Sequence, residues 1–357
     1  MALAFSAGNT SAPNPRVGCL FVSAGGQVLG QGHTQQAGGP HAEIMALRDA
    51  AAKGNLVAGC TAYVTLEPCC HHGRTGPCCD ALIAAGVKKV VASMADPNPL
   101  VAGQGFARLR AAGVEVEVGP GAAESRELNI GFFSRMIRKT PWVRMKVAAS
   151  LDGQTALLNG QSQWITGEAA RTDGHAWRAR SCAVLTGIGT VLADNPRLDV
   201  RMVETNRQPH IVIVDSKLET PLDAHILGAA RARFIYAGVP NDAKKAALEA
   251  LGVTVIYLAD AHGKVDLAAM LLDLAQREVN ELHIEAGNKL NGSFIREGLV
   301  DELLLYLAPK LLGSGQGMAS FGPLQSLSEA TQLRFMSTEM VCDDLRIVAR
   351  ISGRDQF

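Results

Sequence analysis

Two short stretches of this 357-residue chain carry residue types that can hold a metal ion. The first is Pro40-His41-Ala42-Glu43. The second runs Leu66-Glu67-Pro68-Cys69-Cys70-His71-His72-Gly73-Arg74-Thr75-Gly76-Pro77-Cys78-Cys79. One His and two Cys can bind zinc and leave its fourth position open to water, whereas structural zinc ordinarily takes four protein ligands. Zinc lowers the pKa of a bound water to about 7, and a neighbouring carboxylate can take that proton and pass it on. Glu43 follows His41 by two residues, so on one helical turn the two side chains diverge. That spacing suits Glu43 to proton transfer rather than to a fourth ligand place.

A His-x-Glu element followed by Pro-Cys is the pattern of zinc deaminases that act on nucleobases. Their common second element is Cys-x-x-Cys. Here the two Pro-Cys elements are Cys69 and Cys78, nine apart, and each is followed by a second cysteine, Cys70 and Cys79. Spacing alone leaves the ligand pair open. It also leaves open a four-ligand structural site that adds His71 or His72, and cysteines that bind nothing.

The elements around these residues read as alternating strands and helices. Strands are expected at 17–22 and 27–32, joined at Gly25-Gly26 as a hairpin, then at 61–66, 88–92 and 114–118. Helices are expected from His41 to about 51, from Cys78 to 85, at 105–112 and at 124–138. His41 and Glu43 then fall in a first helical turn. This alternation predicts an α/β fold with a largely parallel sheet, whose ligand sites lie where strands hand over to helices. Lys139-Thr140-Pro141 breaks the pattern, so a domain 1–141 and a domain 142–357 are expected. In the second, strands are expected at 142–149, 182–186, 210–215, 233–237, 253–258, 281–285, 302–307 and 345–351.

Composition narrows the function. Lys plus Arg and Asp plus Glu both number 34, which favours a small substrate over a nucleic acid, whose phosphates call for a basic face. Of eight cysteines, Cys69, Cys70, Cys78 and Cys79 lie within eleven residues, a clustering that points to metal chemistry in a reducing compartment, by default the cytoplasm. No apolar run reaches the roughly 20 residues of a membrane span, so no membrane partner is expected.

The motifs together resemble the bifunctional riboflavin-biosynthesis deaminase–reductase family. The first half of the resemblance rests on residues 10–18 (Thr-Ser-Ala-Pro-Asn-Pro-Arg-Val-Gly), His41-Ala42-Glu43, residues 66–78 and Asp96-Pro97-Asn98-Pro99. The nine-residue cysteine spacing and the His-His-Gly-Arg-Thr insertion are usual there. The resemblance implies His41, Cys69 and Cys78 as zinc ligands, Glu43 as the catalytic acid–base, and Asn14, His71 and Arg74 at the substrate. The family has a longer helix before its Pro-Asn-Pro loop, and here only 1–8 stands in that place.

Its second half rests on residues 146–153, 160–166 and 187–196, which resemble the NADPH-dependent reductase. From the residues alone, Gly187-Ile188-Gly189-Thr190 and the run Glu285-Ala286-Gly287-Asn288 each follow a strand and open a helix, as phosphate-binding turns do and as ordinary tight turns also do. The resemblance implies NADPH near Ala148, Trp164, Thr190, Asp194, Ser216 and a loop of Gly287, Asn288, Lys289, Leu290, Asn291, Gly292 and Ser293. Asn288 stands where the family more often has Pro. It implies the sugar phosphate near Ser162, Arg178, Leu198, Arg201 and Glu285, with Lys146, Asp194 and Glu285 in catalysis.

The implied architecture is a cytidine-deaminase-like three-layer α/β domain followed by a dihydrofolate-reductase-like α/β domain. The implied enzyme is both a hydrolase and an oxidoreductase, with Zn2+ and NADPH as cofactors. It would deaminate 2,5-diamino-6-(5-phosphoribosylamino)pyrimidin-4(3H)-one, then reduce the ribosyl group of 5-amino-6-(5-phosphoribosylamino)uracil to ribityl. A homo-oligomer, dimer or tetramer, is the expected assembly. Two other readings stand beside it. One is a deaminase of another base, nucleoside or tRNA with an unrelated second domain. The other is a zinc-stabilised binding protein without turnover.

Overall fold

The structure is a computed structural model that describes residues 1–8, 10–70, 76–99, 102–228 and 230–357. It forms two compact units, Met1–Lys139 and Thr140–Phe357. In the first, the elements run α1 (Ala2–Ser6), β1 (Gly18–Val22), β2 (Val28–His33), α2 (Ala42–Ala52), β3 (Thr61–Val64), α3 (Cys78–Ala84), β4 (Lys89–Ala92), α4 (Gln104–Ala111), β5 (Glu115–Val118), α5 (Ala122–Leu128) and α6 (Ile130–Arg138).

The sheet order is β2-β1-β3-β4-β5. It is mixed rather than largely parallel: β1 is antiparallel to both β2 and β3, and only β3-β4-β5 run parallel. The tight turn at Gly25-Gly26 dictates this, because a parallel neighbour needs a long crossover. The helix expected over 124–138 is broken at Asn129. Its side-chain amide is spent on the Pro-Asn-Pro loop, accepting from Arg16 N at 2.7 Å and donating to Arg16 O at 3.0 Å. Arg135 from α6 reaches Pro13 O at 3.2 Å, so this helix pair holds the loop that carries Asn14.

Helix α2 lies directly on β2, and the contact is made by absent side chains. A Cβ at Gly32 would stand 2.4 Å from Ala46 N and 2.6 Å from Ala42 O; one at Gly30 would stand 2.4 Å from Ala46 O. Ala42, Ala46 and Ala50 form the buried face that meets these glycines. Small residues on both sides set how deep the start of α2 sits, with His41 as its N-cap and Glu43 in its first turn.

The second unit contains β6 (Trp142–Ser150), β7 (Gln154–Leu157), α7 (Glu168–Arg180), β8 (Ala183–Gly187), α8 (Ile188–Asp194), β9 (His210–Val214), β10 (Arg233–Ala237), α9 (Asp242–Ala250), β11 (Thr254–Tyr257), α10 (Leu267–Gln276), β12 (Glu281–Ile284), α11 (Asn288–Arg296), β13 (Glu302–Ala308), β14 (Gly315–Gly317), β15 (Leu333–Val341) and β16 (Asp344–Ile351). Nine strands form one sheet in the order β11-β10-β9-β8-β12-β6-β13-β16-β15. All neighbours are parallel except β13/β16 and β16/β15. Strand β12 returns to fill the place between β6 and β8, so the strand order reverses there. In open α/β sheets a ligand crevice forms at such a point.

The sequence reading missed β7, β14 and β15. Every residue of β15 is exposed or half-buried, so the strand has no buried face to show as alternation. Among the described residues, no helix is long and apolar enough to cross a membrane.

The α2–β2 contact yields a direct test. Gly32→Ala places a methyl inside the backbone of α2, and is expected to destabilise the first unit by about 2–3 kcal/mol. The measurements are the thermal midpoint and the zinc content of the purified protein, and both should fall.

Candidate functional site

His41, Cys69 and Cys78 come together although three separate elements supply them. Cys69 follows β3, Cys78 is the first residue of α3, and His41 caps α2. The ligand atoms of the three lie within 4.8 Å of one another. His41 Nδ1 stands 3.6 Å from Cys69 Sγ and 3.4 Å from Cys78 Sγ. This is a three-donor set of nitrogen and two soft sulfurs, which fits zinc with one position left over.

The electrostatics agree with that fit. Hydrogen bonds from Cys78 and then His41 bring the Cys69 thiol down to about 4, against the burial that would raise it. Cys78 is raised, since its proton is shared with the Cys69 sulfur and its side chain is buried. A divalent cation would favour the thiolate form of both. Glu43 is buried beside them, and burial followed by the Cys69 charge pushes its carboxyl up to about 7. That range suits a group that both takes and gives a proton near neutral pH.

The doubled cysteines separate by geometry. Cys79 points the other way, donating to Pro68 O at 3.2 Å and Gly105 O at 3.5 Å, and burial pushes its thiol up to about 12. Cys70 faces Gln104 Oε1 at 3.9 Å. Neither joins the three-donor group among the described residues.

One further residue holds this site, and the sequence reading passed over it. The Glu67 carboxylate is buried and accepts four backbone N–H groups: Asp96 at 3.1 Å, Gly103 at 2.8 Å, Gly105 at 2.9 Å and Phe106 at 3.3 Å. It therefore ties the segment between β3 and Cys69 to the segment from Asp96 to the start of α4. The approach is so close that a Cβ on Gly105 would stand 2.1 Å from Pro68 O. Asp96 is brought to the site in this way, and burial pushes its carboxyl up to about 7. The one sequence signal was a Glu directly after an apolar strand and directly before Pro-Cys.

In the second unit, Glu285 follows β12 and is clasped by Arg178 of α7. Arg178 Nε bonds one carboxylate oxygen and Nη2 the other at 2.9 Å, while Nη1 donates to Asp199 O at 3.0 Å. Lys146 Nζ lies 3.9 Å from Glu285. Burial alone would raise the Glu285 carboxyl, but Arg178 holds it well below the usual range. Burial lowers Lys146. Lys146, Arg178 and Glu285 thus form one half-buried cluster from β6, α7 and the residue after β12.

Beside this cluster the two glycine turns meet. Strands β8 and β12 are adjacent and parallel; β8 ends in Gly187, the N-cap of α8, and β12 leads three residues on to Gly287, the N-cap of α11. A Cβ on Gly287 would lie 3.9 Å from Thr190 Oγ1, and one on Gly187 would lie 3.0 Å from Leu290 Cδ2. Two helix N-termini therefore open on the same strand ends, which is the setting in which backbone N–H groups receive phosphates. Ser216, just after β9, accepts from Val265 N at 3.2 Å.

Comparison with known proteins gives the same division. Residues 1–94 match the family described as the cytidine and deoxycytidylate deaminase zinc-binding region, and residues 141–347 match the RibD C-terminal domain. Riboflavin biosynthesis protein RibD of Escherichia coli (strain K12) is 43% identical over 350 residues, covering 94% of this chain and 93% of its own. That of Aquifex aeolicus is 41% identical, covering 94% and 92%. The chain belongs to the bifunctional riboflavin-biosynthesis deaminase–reductase family. The structure of Acinetobacter baumannii RibD superposes with a TM-score of 0.89 at 40% identity, over 99% of this chain and 96% of that one. The diaminohydroxyphosphoribosylaminopyrimidine deaminase/5-amino-6-(5-phosphoribosylamino)uracil reductase of Thermotoga maritima gives 0.86 at 31% identity, over 98% and 96%.

As a member of this family the enzyme hydrolytically deaminates the phosphoribosylamino-pyrimidine and reduces the ribosyl group of the product, with zinc and NADPH as cofactors. Its substrates are phosphorylated pyrimidines. The readings of an unrelated second domain and of a binding protein without turnover are not favoured.

Asn14 is half-buried on the loop held by Asn129 and Arg135. His71 and Arg74 lie outside the described residues. The run 287–293 is not a loop: from Asn288 it is the first two turns of α11. Within it, Asn291 is buried and donates to Met318 O at 3.0 Å, and a Cβ on Gly292 would stand 1.9 Å from Ser320 O. These two pack the segment 318–320, leaving Gly287, Asn288, Lys289, Leu290 and Ser293 as the more accessible part of the run. Trp164 is exposed, with the Arg171 guanidinium 4.6 Å above its ring. Ser162 and Ala148 are half-buried, Leu198 is buried, and Arg201 and Asp194 are exposed. Asp194 stands at the end of α8.

Glu67 gives the prediction. Glu67→Ala leaves four N–H donors buried without an acceptor, at a cost of roughly 3 kcal/mol or more. The variant should lose zinc and ammonia release, while NADPH oxidation on supplied deaminated product continues. Retention of full deaminase activity would refute the anchoring role.

Proposed function

We propose that His41, Cys69 and Cys78 hold the zinc, and that Glu43 carries the proton in the deamination step. The observation that supports this most is the convergence of three donor atoms within 4.8 Å beside a buried carboxyl whose pKa is pushed up to about 7. When bound, zinc supplies a water acidic enough to be deprotonated near neutral pH. Glu43 takes a proton from the attacking water and delivers it to the ring substituent nitrogen. The carbon–nitrogen bond then breaks, and ammonia leaves as the ring carbon gains oxygen. Asn14, with His71 and Arg74 of the inserted segment, is assigned to hold the pyrimidine and its ribose phosphate.

When bound, NADPH would supply the hydride for the second reaction, the reduction of the ribosyl group. Glu285 and Lys146 orient the sugar and manage the accompanying proton, and Arg178 keeps Glu285 ionised. Three of the five N–H donors of Arg178 are already engaged, by Glu285 and Asp199, whereas Arg201 spends one donor, Nη1, on Asp199 Oδ1 at 2.5 Å and is the freer guanidinium for the phosphate. Ser162 and the Leu198 backbone complete the substrate side. Thr190, Asp194, Ser216, Ala148, Trp164 and the start of α11 are assigned to the cofactor. Residues 1–141 then act as the deaminase and 142–357 as the reductase.

A cytoplasmic setting is supported by eight cysteines without a disulfide. A homo-oligomer is supported by the exposed Phe335 and Met340 on edge strand β15.

Two experiments test the assignment. Glu43→Gln should lower ammonia release by at least about a hundredfold with zinc content unchanged; survival of the activity would refute the role given to Glu43. Chelation of zinc should abolish ammonia release and leave NADPH oxidation on the deaminated product intact. Loss of both activities on chelation would refute the division of labour.

A further inference from the structure

His175 lies on α7 one turn before Arg178, and it is 4% exposed. Its Nδ1 accepts the backbone N–H of Arg201 at 3.1 Å, and its Nε2 lies 3.4 Å from Arg178 Nη1. An imidazole nitrogen that accepts a hydrogen bond carries no proton, so Nδ1 is unprotonated and the ring is neutral. Arg178 fastens the same segment through Asp199 O, two residues earlier. The segment is also held at Val200, whose N donates to Gln208 Oε1 and whose O accepts from Gln208 Nε2, both at 2.8 Å. Its first residue, Leu198, has a left-handed backbone with φ of 50°. A turn of this kind, ending in an exposed arginine, needs its backbone fixed if that arginine is to present a defined guanidinium.

We propose that His175 is a positioning residue for the reductase substrate, setting Arg201 toward the substrate phosphate through the Arg201 backbone and not through contact with the substrate. The inference rests on the reading of Arg201 as a phosphate ligand. His175 reads the protonation state of the clamp as well. The charged groups facing it are Arg178 on its own helix, Asp199 and Arg201 on the 198–201 segment, and Glu285 after β12. Burial, then Arg178 and Arg201, lower its pKa to about 4. The folded state therefore keeps the ring neutral at pH 7. Because the folded value lies below the ordinary one of about 6.5, the stability contributed by the clamp is present above pH 6.5 and is lost as pH falls toward 4.

Two substitutions separate positioning from general packing. In His175→Asn, Oδ1 stands where Nδ1 stood and can still accept the Arg201 N–H. In His175→Gln, the side-chain amide reaches the Nε2 position and leaves that N–H without an acceptor. The full-length enzyme is assayed with 5-amino-6-(5-phosphoribosylamino)uracil and NADPH, and ammonia release in the same samples checks that the chain is intact. His175→Gln is expected to raise KM for the uracil substrate about tenfold, with kcat within about twofold and KM for NADPH unchanged. His175→Asn is expected to stay within about threefold of the wild-type KM. Its thermal midpoint should also fall less than that of the wild type between pH 6.5 and 4. Equal KM values for the two variants, a loss confined to kcat, or identical pH dependences of the thermal midpoint for His175→Asn and wild type would overturn the proposal. Arg201→Ala tests the underlying reading separately. If it leaves KM unchanged, the phosphate assignment fails; if it raises KM while His175→Gln does not, only the role of His175 fails.

Discussion

A carboxylate taken out of water has to be surrounded by N–H groups, and each unit of this enzyme uses one such carboxylate to assemble its site. In the first unit it is Glu67, with four backbone amides. In the second it is Glu285, with the forked guanidinium of Arg178 and the ammonium of Lys146 nearby. An unmet buried carboxylate would be costly, so the segments that supply the donors cannot drift apart independently. The chemical groups ride on those segments: Cys69 two residues after Glu67, Asp96 at the other end of its bonds, and the 198–201 turn joined through Arg178. The two carboxylates differ in role. Glu67 is enclosed by amides and organises. Glu285 is met by the charged side chains of Arg178 and Lys146.

Close backbone approach is the second constraint. Gly30 and Gly32 let α2 settle on β2, and Gly105 lets the start of α4 settle on Pro68. Both contacts fix the depth of a helix start, and helix starts carry His41, Glu43 and Cys78. The same device recurs at Gly187 and Gly287, where two helix N-termini share neighbouring strand ends. A glycine acts here as a measured gap rather than as a flexible point, since none of Gly30, Gly32, Gly105, Gly187 or Gly287 has a left-handed backbone.

Chemistry was the most legible part of the sequence. His41-Ala42-Glu43 and the two Pro-Cys elements named a metal, a water and a proton carrier before any fold was known, because ligand types and short spacings are local properties. Strand and helix patterns were legible where one face is buried, as in β1 and α2, or where nearly the whole strand is, as in β8 and β9. They failed for β15, which buries no continuous face, and at Asn129, where a side-chain bond to Arg16 breaks a helix that periodicity alone would continue. Sheet direction in the first unit was only partly legible: the hairpin gave the antiparallel β1/β2 pair, but alternation of elements does not reveal that β1 also pairs antiparallel with β3.

The sequence by itself determined the residue types available for catalysis, the two-part organisation and the family, because these depend on composition and order along the chain. Only the tertiary structure decided which sulfurs share a site. Cys69 and Cys78 face His41, whereas Cys79 turns to Pro68 O and Gly105 O, a difference that a doubled Cys-Cys cannot express. It alone brought Lys146, Arg178 and Glu285 together across more than a hundred residues of chain, and it alone gave Glu67 and His175 their partners. The reason is physical: a ligand type is carried by one residue, but a hydrogen-bond partner is a matter of distance, and distance between remote segments exists only once the sheets and helices have packed.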